Sequence, residues 1–416
     1  MGCSSDGKLA GRQFANSAIT PMSDATKPFS GLKVFDATQG VAGPHCALLL
    51  AQHGADVIKV EPLDGDWGRT LGKLYGEHCA HSVAFNRGKR SIALDLKNAE
   101  GLAVARKLAS EADIVLESFR PGVMARFGLD YESVAKQRPE VVYLSVSGFG
   151  QEGPYNKLPV TDSVIQAFSG LMSINRDEQG SPQRIGMIAI DVMTGLYAYQ
   201  AVASAMLARF RFGQGRYIDC SLMQSAAAFQ TAKIMEHHLE GGAPMVLYMP
   251  IGTMKTSDGY INITAMREKH YVSLCKVLGL EELIDDPRFD NRDKRVERAD
   301  ELMPFIRAKF VHKTTAEWAE LLTEAEVMNA PVATYTDYMA DEHVKATRSL
   351  EWVEHGGIGQ IPLANIPGVD PIEAGSALSA SPVIGEHSRA ILEEAGYDSA
   401  SVESLLAAGA VAAATD

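Results

Sequence analysis

The sequence has few cysteines, and none belongs to a paired motif. The five cysteines of the 416-residue chain are scattered, with no CxxC spacing among them. This pattern argues against a disulfide framework and against a zinc site. It is typical of a reducing compartment, so we expect a cytoplasmic protein without a metal centre.

Long hydrophobic runs are also missing. No stretch approaches the roughly 18 apolar residues of a membrane span, and the N-terminus lacks the apolar run of a signal peptide. We predict that residues 1–22 form a flexible extension and that the protein has no membrane partner.

Positive charge is in deficit. Lysine and arginine number 39 against 52 aspartates and glutamates, which gives a net charge of −13 at pH 7. The basic footprint of a nucleic-acid or anionic-lipid binder is therefore not indicated. An anionic ligand would have to be met by a local basic pocket.

The composition that remains is that of a globular protein. The chain is 46% hydrophobic and 22% charged, and its length suffices for two or three domains with proper cores.

Alternating strand and helix patterns predict an α/β fold. Lys33–Asp36 and Ala55–Glu61 have the composition of buried strands, and they flank a glycine-bearing turn and a helix over Cys46–His53. This arrangement is a βαβ unit. We predict a large domain with a parallel sheet over residues 23–235.

The turn of this unit leaves one alternative open. Gly40–Pro44 lacks the GxGxxG of dinucleotide binding, although Glu61 ends the second strand about where that fingerprint places an acid. A Rossmann dehydrogenase is therefore a weak alternative.

Two basic segments accompany the strands. Phe85–Lys97 carries four cations, which is typical of a solvated face, although such a cluster could also meet a phosphate. Ser118–Arg126 follows the predicted strand Asp113–Glu117. Ligands gather at the carboxyl ends of parallel strands, so the second segment is well placed for an anionic ligand.

One carboxylate stands among apolar neighbours at the predicted start of a helix. The run Ile185–Val192 is apolar except for Asp191 and one glycine. Composition alone favours an N-cap role for Asp191, because capping is the commonest reason for an aspartate at such a place. The alternative is a catalytic carboxylate.

Six motifs in chain order change this balance. They are Val41–Pro44, Ala55–Glu61 with Gly65-Asp66, Asn86–Ser91, Phe119–Gly122, Ser147–Gly150, and Ile190-Asp191 followed by Gly195. With them the chain resembles the class III coenzyme A transferases, the family of formyl-CoA transferase and carnitine CoA-transferase that also contains α-methylacyl-CoA racemase. The resemblance runs from Gly31 to about Tyr397.

The resemblance implies an architecture. It implies a Rossmann-like large domain and a return of the chain to that domain over residues 345–410. Between them, shorter strands and charged helices predict a smaller α+β domain over residues 245–340. It also implies that two chains are threaded through each other as an interlocked homodimer.

The resemblance also implies catalytic roles. The family's nucleophilic aspartate matches Asp191, and its supporting acidic residue matches Asp162. The preceding position, a histidine acid/base in the racemase, is Thr161 here, which disfavours racemisation. Tyr248–Met254 lacks the glycine run of the oxalate enzymes, which disfavours oxalate or formate.

The positions that contact coenzyme A in the family match eight residues here: Val41, Ala42, Leu94, Lys97, Ser118, Phe119, Arg120 and Arg126. The three cations among them would supply the positive pocket that phosphates need in an acidic protein.

The expected function is a CoA transferase that moves coenzyme A from an acyl-CoA donor, such as succinyl-CoA or acetyl-CoA, to a carboxylic acid. An aspartyl anhydride and an aspartyl-CoA thioester would be its intermediates, with no permanently bound cofactor. Two alternatives remain, a racemase-like acyl-CoA isomerase and a non-catalytic acyl-CoA-binding protein.

Two local expectations concern the C-terminal half. Val311–Leu322 is predicted to be a helix, and the alanine-rich end from about Ala407 is predicted to be frayed.

Overall fold

The computed structural model describes residues 27–177, 179–242 and 246–414. The predicted extension over residues 1–22 lies outside these ranges. Within them, the strands are β1 (Lys33–Ala37), β2 (Asp56–Glu61), β3 (Leu74–Tyr75), β4 (His78–Cys79), β5 (Arg90–Leu94), β6 (Ile114–Glu117), β7 (Val142–Ser147), β8 (Arg216–Ser221), β9 (Ile251–Lys255), β10 (Tyr260–Thr264), β11 (Met328–Pro331), β12 (Leu350–His355), β13 (Gly359–Ala364) and β14 (Val411–Ala412).

The helices of the same ranges are α1 (Ala42–Gln52), α2 (Ala80–Asn86), α3 (Ala99–Glu111), α4 (Val123–Phe127), α5 (Tyr131–Ala135), α6 (Asp162–Phe168), α7 (Leu171–Ile174), α8 (Ala189–Phe212), α9 (Leu222–Phe229), α10 (Thr231–Leu239), α11 (Glu268–Leu278), α12 (Arg292–Glu297), α13 (Ala299–Phe310), α14 (Thr315–Glu324), α15 (Tyr335–Ala340), α16 (Glu342–Ala346), α17 (Ser388–Glu394) and α18 (Ser399–Ala407). None of these helices is both long enough and apolar enough to span a bilayer.

The chain forms two compact units. The described part of the first comprises residues 27–162, 187–225 and 351–414, and that of the second comprises 163–186 and 226–350 apart from the gaps above. The second unit contains a three-stranded antiparallel sheet in the order β11-β10-β9, with α11, α13 and α14 around a core of its own.

The first unit is built on a seven-stranded sheet in the order β14-β5-β2-β1-β6-β7-β8. All neighbouring pairs are parallel except β14 with β5. From β1 outward, β2 and β5 lie on one side and β6, β7 and β8 on the other, so the chain order reverses between β1 and β6. Ligands of open α/β sheets bind outside the carboxyl ends of strands at such a reversal.

Two helices of the first unit meet next to this reversal. Helix α1 is buried along its whole length, and α8 packs against it. Gly195 allows the close approach, because a Cβ atom there would lie 2.6 Å from Nδ1 of His45. The His45 Nδ1 atom lies 3.0 Å from the backbone oxygen of Val192.

The C-terminal end corrects one expectation. The end predicted to be frayed from Ala407 instead turns into β14, whose Val411 pairs with Leu94 of β5. Val411 is buried because β14 forms the edge strand of the sheet and contacts α18. Alanine-rich composition gave no sign of this pairing.

The predicted helix over Val311–Leu322 is also displaced. The structure ends α13 at Phe310 and starts α14 at Thr315. Thr314 is the N-cap, and Glu317 completes a capping box with it. This local signal fixes the true start of the helix.

Candidate active site

Asp191 is the third residue of α8 and does not cap it. The N-cap position is Ile188, which supplies no side-chain hydrogen bond. The carboxylate of Asp162 instead accepts hydrogen bonds from the backbone N–H groups of Ile190 at 2.7 Å and Asp191 at 3.1 Å. The N-cap interpretation of Asp191 is therefore wrong, because a residue 28 positions from Ile190 in sequence provides the cap.

The surroundings of Asp191 disfavour its charge. Burial and the neighbouring carboxylate of Asp162 raise the pKa of Asp191 to about 7. The N-terminal dipole of α8 acts in the opposite direction, because it favours an anion in the first turn. The side chain of Asp191 accepts no hydrogen bond from the described residues, so it is open to another reactant.

Asp191 lines a cavity of about 210 Å³ at the reversal between β1 and β6. The segment after β1 contributes Gln39, Val41, Ala42 and Gly43, and the segment after β6 contributes Ser118 and Phe119. The rest of the lining comes from Trp67, Val146, Ser147, Gly148, Val160, Thr161 and Leu222.

A second cavity of about 360 Å³ adjoins the first. Gln39 and Phe119 line both cavities, so these two residues, here called the neck, lie between them. Further apolar walls come from Val60, Leu94, Leu96 and Phe127, and Lys97 adds a cation.

The structure thus brings most of the sequence-predicted positions together. Val41, Ala42, Ser118 and Phe119 share a cavity with Asp191, and the second cavity contains Leu94 and Lys97 besides Phe119. Asp162 is buried behind this surface, where it holds the backbone of the first turn of α8.

Two predicted cations stand apart from both cavities. Arg120 and Arg126 are exposed on the segment that follows Phe119, and neither lines either of these two cavities. Like Lys97, they form no ion pair with any described residue. All three therefore remain available to an anion.

Side chains hold four backbone groups of the segment before α1. Asp36 accepts from the N–H of Thr38 at 3.1 Å, and Lys59 donates to the carbonyl of Thr38 at 2.6 Å. The next N–H, of Gln39, donates to Ser118 Oγ at 2.9 Å. The N–H of Gly40 donates to the carboxylate of Asp66 at 2.9 Å. The wall of the smaller cavity is therefore fixed before any ligand enters.

The charges behind this wall are fully buried. Lys59 pairs with Asp66 at 2.7 Å and Lys89 pairs with Asp36 at 2.9 Å, all four side chains having no exposed surface. Burial lowers the pKa of Lys89 to about 8. Such pairs persist only where hydrogen bonds satisfy the remaining donors, as Pro44 O and Asn86 Oδ1 do for Lys89.

These contacts correct the interpretation of the basic segment Phe85–Lys97 as a solvated face. Arg87 and Lys89 are only 4% exposed, and Arg90 pairs with Asp56 and Glu394. Charge density along the sequence did not reveal that this segment leads into the buried sheet, where Arg90 is the first residue of β5.

Glu117 fixes the backbone of Phe119, one of the two neck residues. Its carboxyl group accepts a hydrogen bond from the N–H of Phe119 at 2.7 Å and a short one from Ser145 Oγ. Burial raises the pKa of Glu117 to about 7. Sequence reasoning missed this residue, and no motif marked it apart from its place at the end of a strand.

Trp67 and Gln39 were also missed. Trp67 directly follows the Gly65-Asp66 motif, and the residue is 52% exposed while lining the cavity of Asp191. The available signal was its position after that motif, because a large aromatic side chain there has to pack somewhere near the motif's partners.

Comparison with known proteins gives consistent results. The sequence profile described as CoA-transferase family III matches residues 29–388. A succinyl-CoA:glutarate CoA-transferase of Mus musculus is 33% identical over 401 residues, covering 93% of this chain and 91% of that protein. A succinate–glutarate CoA-transferase of Agrobacterium fabrum is 34% identical, covering 90% of this chain and 98% of that protein.

A solved structure shares the fold. The crystal structure of a CAIB/BAIF family protein from Brucella suis has a TM-score of 0.78 and 33% sequence identity, covering 89% of this chain and 99% of that one. On the profile, these relatives and this structural likeness, the chain belongs to CoA-transferase family III.

Proposed function

We propose that this protein transfers coenzyme A from an acyl-CoA donor to a carboxylic acid, with Asp191 as the nucleophile. One observation carries the proposal: the Asp191 carboxylate has no hydrogen-bond donor among the described residues, and it lines a 210 Å³ cavity together with four positions that match CoA contacts of the family. The coarser function, CoA transfer, agrees with the names of the relatives.

The first half-reaction moves coenzyme A onto the enzyme. The ionised carboxylate of Asp191 attacks the thioester carbonyl, and collapse of the tetrahedral adduct expels CoA thiolate and leaves a mixed anhydride. The thiolate then attacks the aspartyl carbonyl of that anhydride. The products are an aspartyl-CoA thioester and the free donor acid.

The second half-reaction reverses these steps with another acid. The acceptor carboxylate attacks the aspartyl thioester and forms a second anhydride, again expelling CoA thiolate. Attack of the thiolate on the acceptor's acyl carbonyl yields the new acyl-CoA and restores the Asp191 carboxylate. The sequence exchanges one thioester for another, so no ATP is needed.

The environment of Asp191 suits this role. A pKa of about 7 leaves roughly half of the carboxyl groups ionised at neutral pH. Burial also removes water molecules from around the carboxylate anion. In water these molecules would have to be displaced before the anion could attack. The same feature that disfavours the charge therefore makes the charged form more reactive.

Backbone N–H groups are our candidates for stabilising the oxyanions. The N-cap residue of α1, Val41, makes no side-chain cap, and the first turn of that helix has no acidic residue. Ala42 and Gly43 of this turn line the cavity of Asp191. Unsatisfied N–H groups at a helix start suit the developing charge of a tetrahedral adduct.

The larger cavity is our candidate for the nucleotide end of coenzyme A. Its apolar walls, including Leu94 and Phe127, suit a purine ring, and Lys97 lies at its edge. The exposed Arg120 and Arg126 are the nearest unpaired cations in sequence to Phe119 at the neck. They would meet the phosphates, because a guanidinium matches phosphate geometry.

Succinyl-CoA is the proposed donor. The names of both relatives reported above contain succinate or succinyl-CoA together with glutarate. A short dicarboxylic acid other than succinate is therefore the acceptor to test first.

A homodimer is part of the proposal. The C-terminal end of α8 carries Leu207 and Phe210, which are 59% and 64% exposed and lie three positions apart, so they share one face of the helix. Large exposed apolar side chains grouped on one face are typical of an association site. Light scattering behind a sizing column should give twice the mass of the 44.8 kDa chain.

The decisive experiment is trapping of the covalent intermediate. The protein is incubated with succinyl-CoA and hydroxylamine, and the peptide containing Asp191 is examined by mass spectrometry. A hydroxamate at Asp191 supports the proposal. No adduct with any donor, together with solvent deuterium at the α-carbon of a 2-methylacyl-CoA, would overturn it in favour of an isomerase.

A further inference from the structure

The largest side chain on the wall of the cavity of Asp191 belongs to Trp67. The other apolar side chains of that wall include Val146, Val160 and Leu222, and all are smaller. The Trp67 side chain is 52% exposed, whereas the protein's Trp318 is 3% exposed in a core. An indole left open on a cavity wall offers a large apolar surface to whatever enters.

The backbone beneath this indole is fixed. Asp66 accepts hydrogen bonds from the N–H groups of Gly40 at 2.9 Å and Gly68 at 2.8 Å, and Gly68 directly follows Trp67 in the chain. Its other carboxylate oxygen pairs with the buried Lys59. The short 3-10 turn that carries Trp67 is thereby tied to the segment before α1.

Glycines let the turn approach this closely. A Cβ atom at Gly40 would lie 2.2 Å from a ring carbon of Trp67, and one at Gly68 would lie 2.8 Å from the carbonyl oxygen of Gly40. The indole therefore lies directly on the backbone of Gly40, one residue before Val41 at the start of α1. Little freedom remains for the ring on that side.

The lining of the cavity offers both polar and apolar surface. Gln39, which also lines the larger cavity, and its neighbour Ser118 carry polar groups that can pair with the two amides of a pantetheine arm. Trp67 with Val160 and Leu222 supplies apolar surface. An acyl chain is the part of an acyl-CoA that such surface stabilises.

We propose that Trp67 is a specificity-determining residue whose indole packs against the acyl chain. It favours acyl groups of four or more carbons, the succinyl group included, over one- and two-carbon acyl groups, because only the longer chains cover the ring. This inference rests on the proposed function, since it names the acyl class that the same cavity takes.

Donor selectivity is the first test. Values of kcat/KM are measured for acetyl-, butyryl- and hexanoyl-CoA with one acceptor acid, for wild type, Trp67→Ala and Trp67→Phe. Trp67→Ala should reduce the hexanoyl-to-acetyl ratio about tenfold, since a large contact area is removed, and Trp67→Phe should reduce it less. An unchanged ratio, including an equal loss for all three donors, would overturn the inference.

A matched control is available in the same chain. Trp352 on β12 is 45% exposed and lines neither cavity. Trp352→Ala should leave the selectivity ratio at the wild-type value. A change in this variant as large as in Trp67→Ala would show that loss of any exposed tryptophan has the effect, which also contradicts the inference.

Binding without turnover separates this inference from the proposed function. Calorimetric titration of Asp191→Asn and of Asp191→Asn/Trp67→Ala compares their affinities for hexanoyl-CoA and acetyl-CoA. The preference for hexanoyl-CoA should shrink about tenfold in the double variant. If wild type transfers nothing, the proposed function fails, while this affinity ratio still decides the role of Trp67.

Discussion

Asp162 accepts a hydrogen bond from the backbone N–H of Asp191 at 3.1 Å, so one carboxylate holds the helix turn that carries the other. The arrangement stabilises the start of α8 and at the same time places a negative charge beside Asp191. The two effects can be separated by substitution.

Asp162→Asn should shift the pH dependence of transfer. An asparagine oxygen still accepts the two N–H groups, but the charge that helps to raise the pKa of Asp191 is removed. Because the ionised form of Asp191 is the proposed nucleophile, the acidic limb of the kcat profile should move to lower pH. A limb that stays in place or moves to higher pH would contradict this coupling.

Asp191→Asn should abolish transfer and also stabilise the fold at alkaline pH. The pKa of Asp191 is about 7 in the folded chain and about 3.9 when unfolded, so ionisation favours unfolding as pH rises between these values. The variant's melting temperature should therefore exceed that of wild type at pH 8, and the difference should shrink towards pH 4. Equal melting curves at pH 8 would show that the ionised carboxylate of Asp191 does not lower the stability of the fold.

Arg126→Ala should weaken acyl-CoA binding. The guanidinium is exposed and forms no ion pair within the described chain, so its loss removes the proposed phosphate contact and disturbs no other ion pair. The KM for acyl-CoA should rise several-fold while kcat changes little. Arg307→Ala, at an exposed position of α13, is the control, and a fall in kcat without a change in KM would remove Arg126 from the CoA pocket.

Gly195→Ala should destabilise the packing of α1 on α8. The added Cβ would lie 2.6 Å from a ring atom of His45, and overpacking of this kind costs about 1–3 kcal/mol of unfolding free energy. Gly186→Ala is the control, because a Cβ there meets nothing within 4 Å. Adding His45→Ala should recover part of the loss, and no recovery would point to another cause.

Lys59→Met should destabilise the protein strongly. The substitution leaves Asp66 buried without its cation, and breaking a buried pair costs about 3–5 kcal/mol. Lys107→Met breaks an exposed pair with Glu111 and should cost less than about 1 kcal/mol. Urea denaturation of both variants tests the difference, and similar midpoints would show that burial of the Lys59 pair is unimportant.

Much of the fold was readable from local pattern. The predicted strands at Lys33–Asp36, Ala55–Glu61 and Asp113–Glu117 are found within two residues of β1, β2 and β6. Apolar runs flanked by turn residues specify buried strands wherever they occur. The start of α8 near Asp191 was likewise marked by composition, although its cap was not.

The least readable features were those whose partners are distant in sequence. Lys89 looked like a surface cation, yet it pairs with Asp36, 53 positions away. Glu117 and Trp67 carried no pattern of their own. Charge and aromaticity say what a side chain prefers, whereas the packed backbone decides whether a partner is there.

The sequence by itself determined a parallel α/β sheet, the motifs of the family and a carboxylate at the start of a helix, because these depend on short-range periodicity and on residue types at fixed spacing. Only the tertiary structure decided that Asp162 caps the helix of Asp191, that Gly195 makes room for His45, and that Trp67 lines the same cavity as Asp191. Each of these depends on contacts between segments that the sheet brings together from 27 to 150 positions apart.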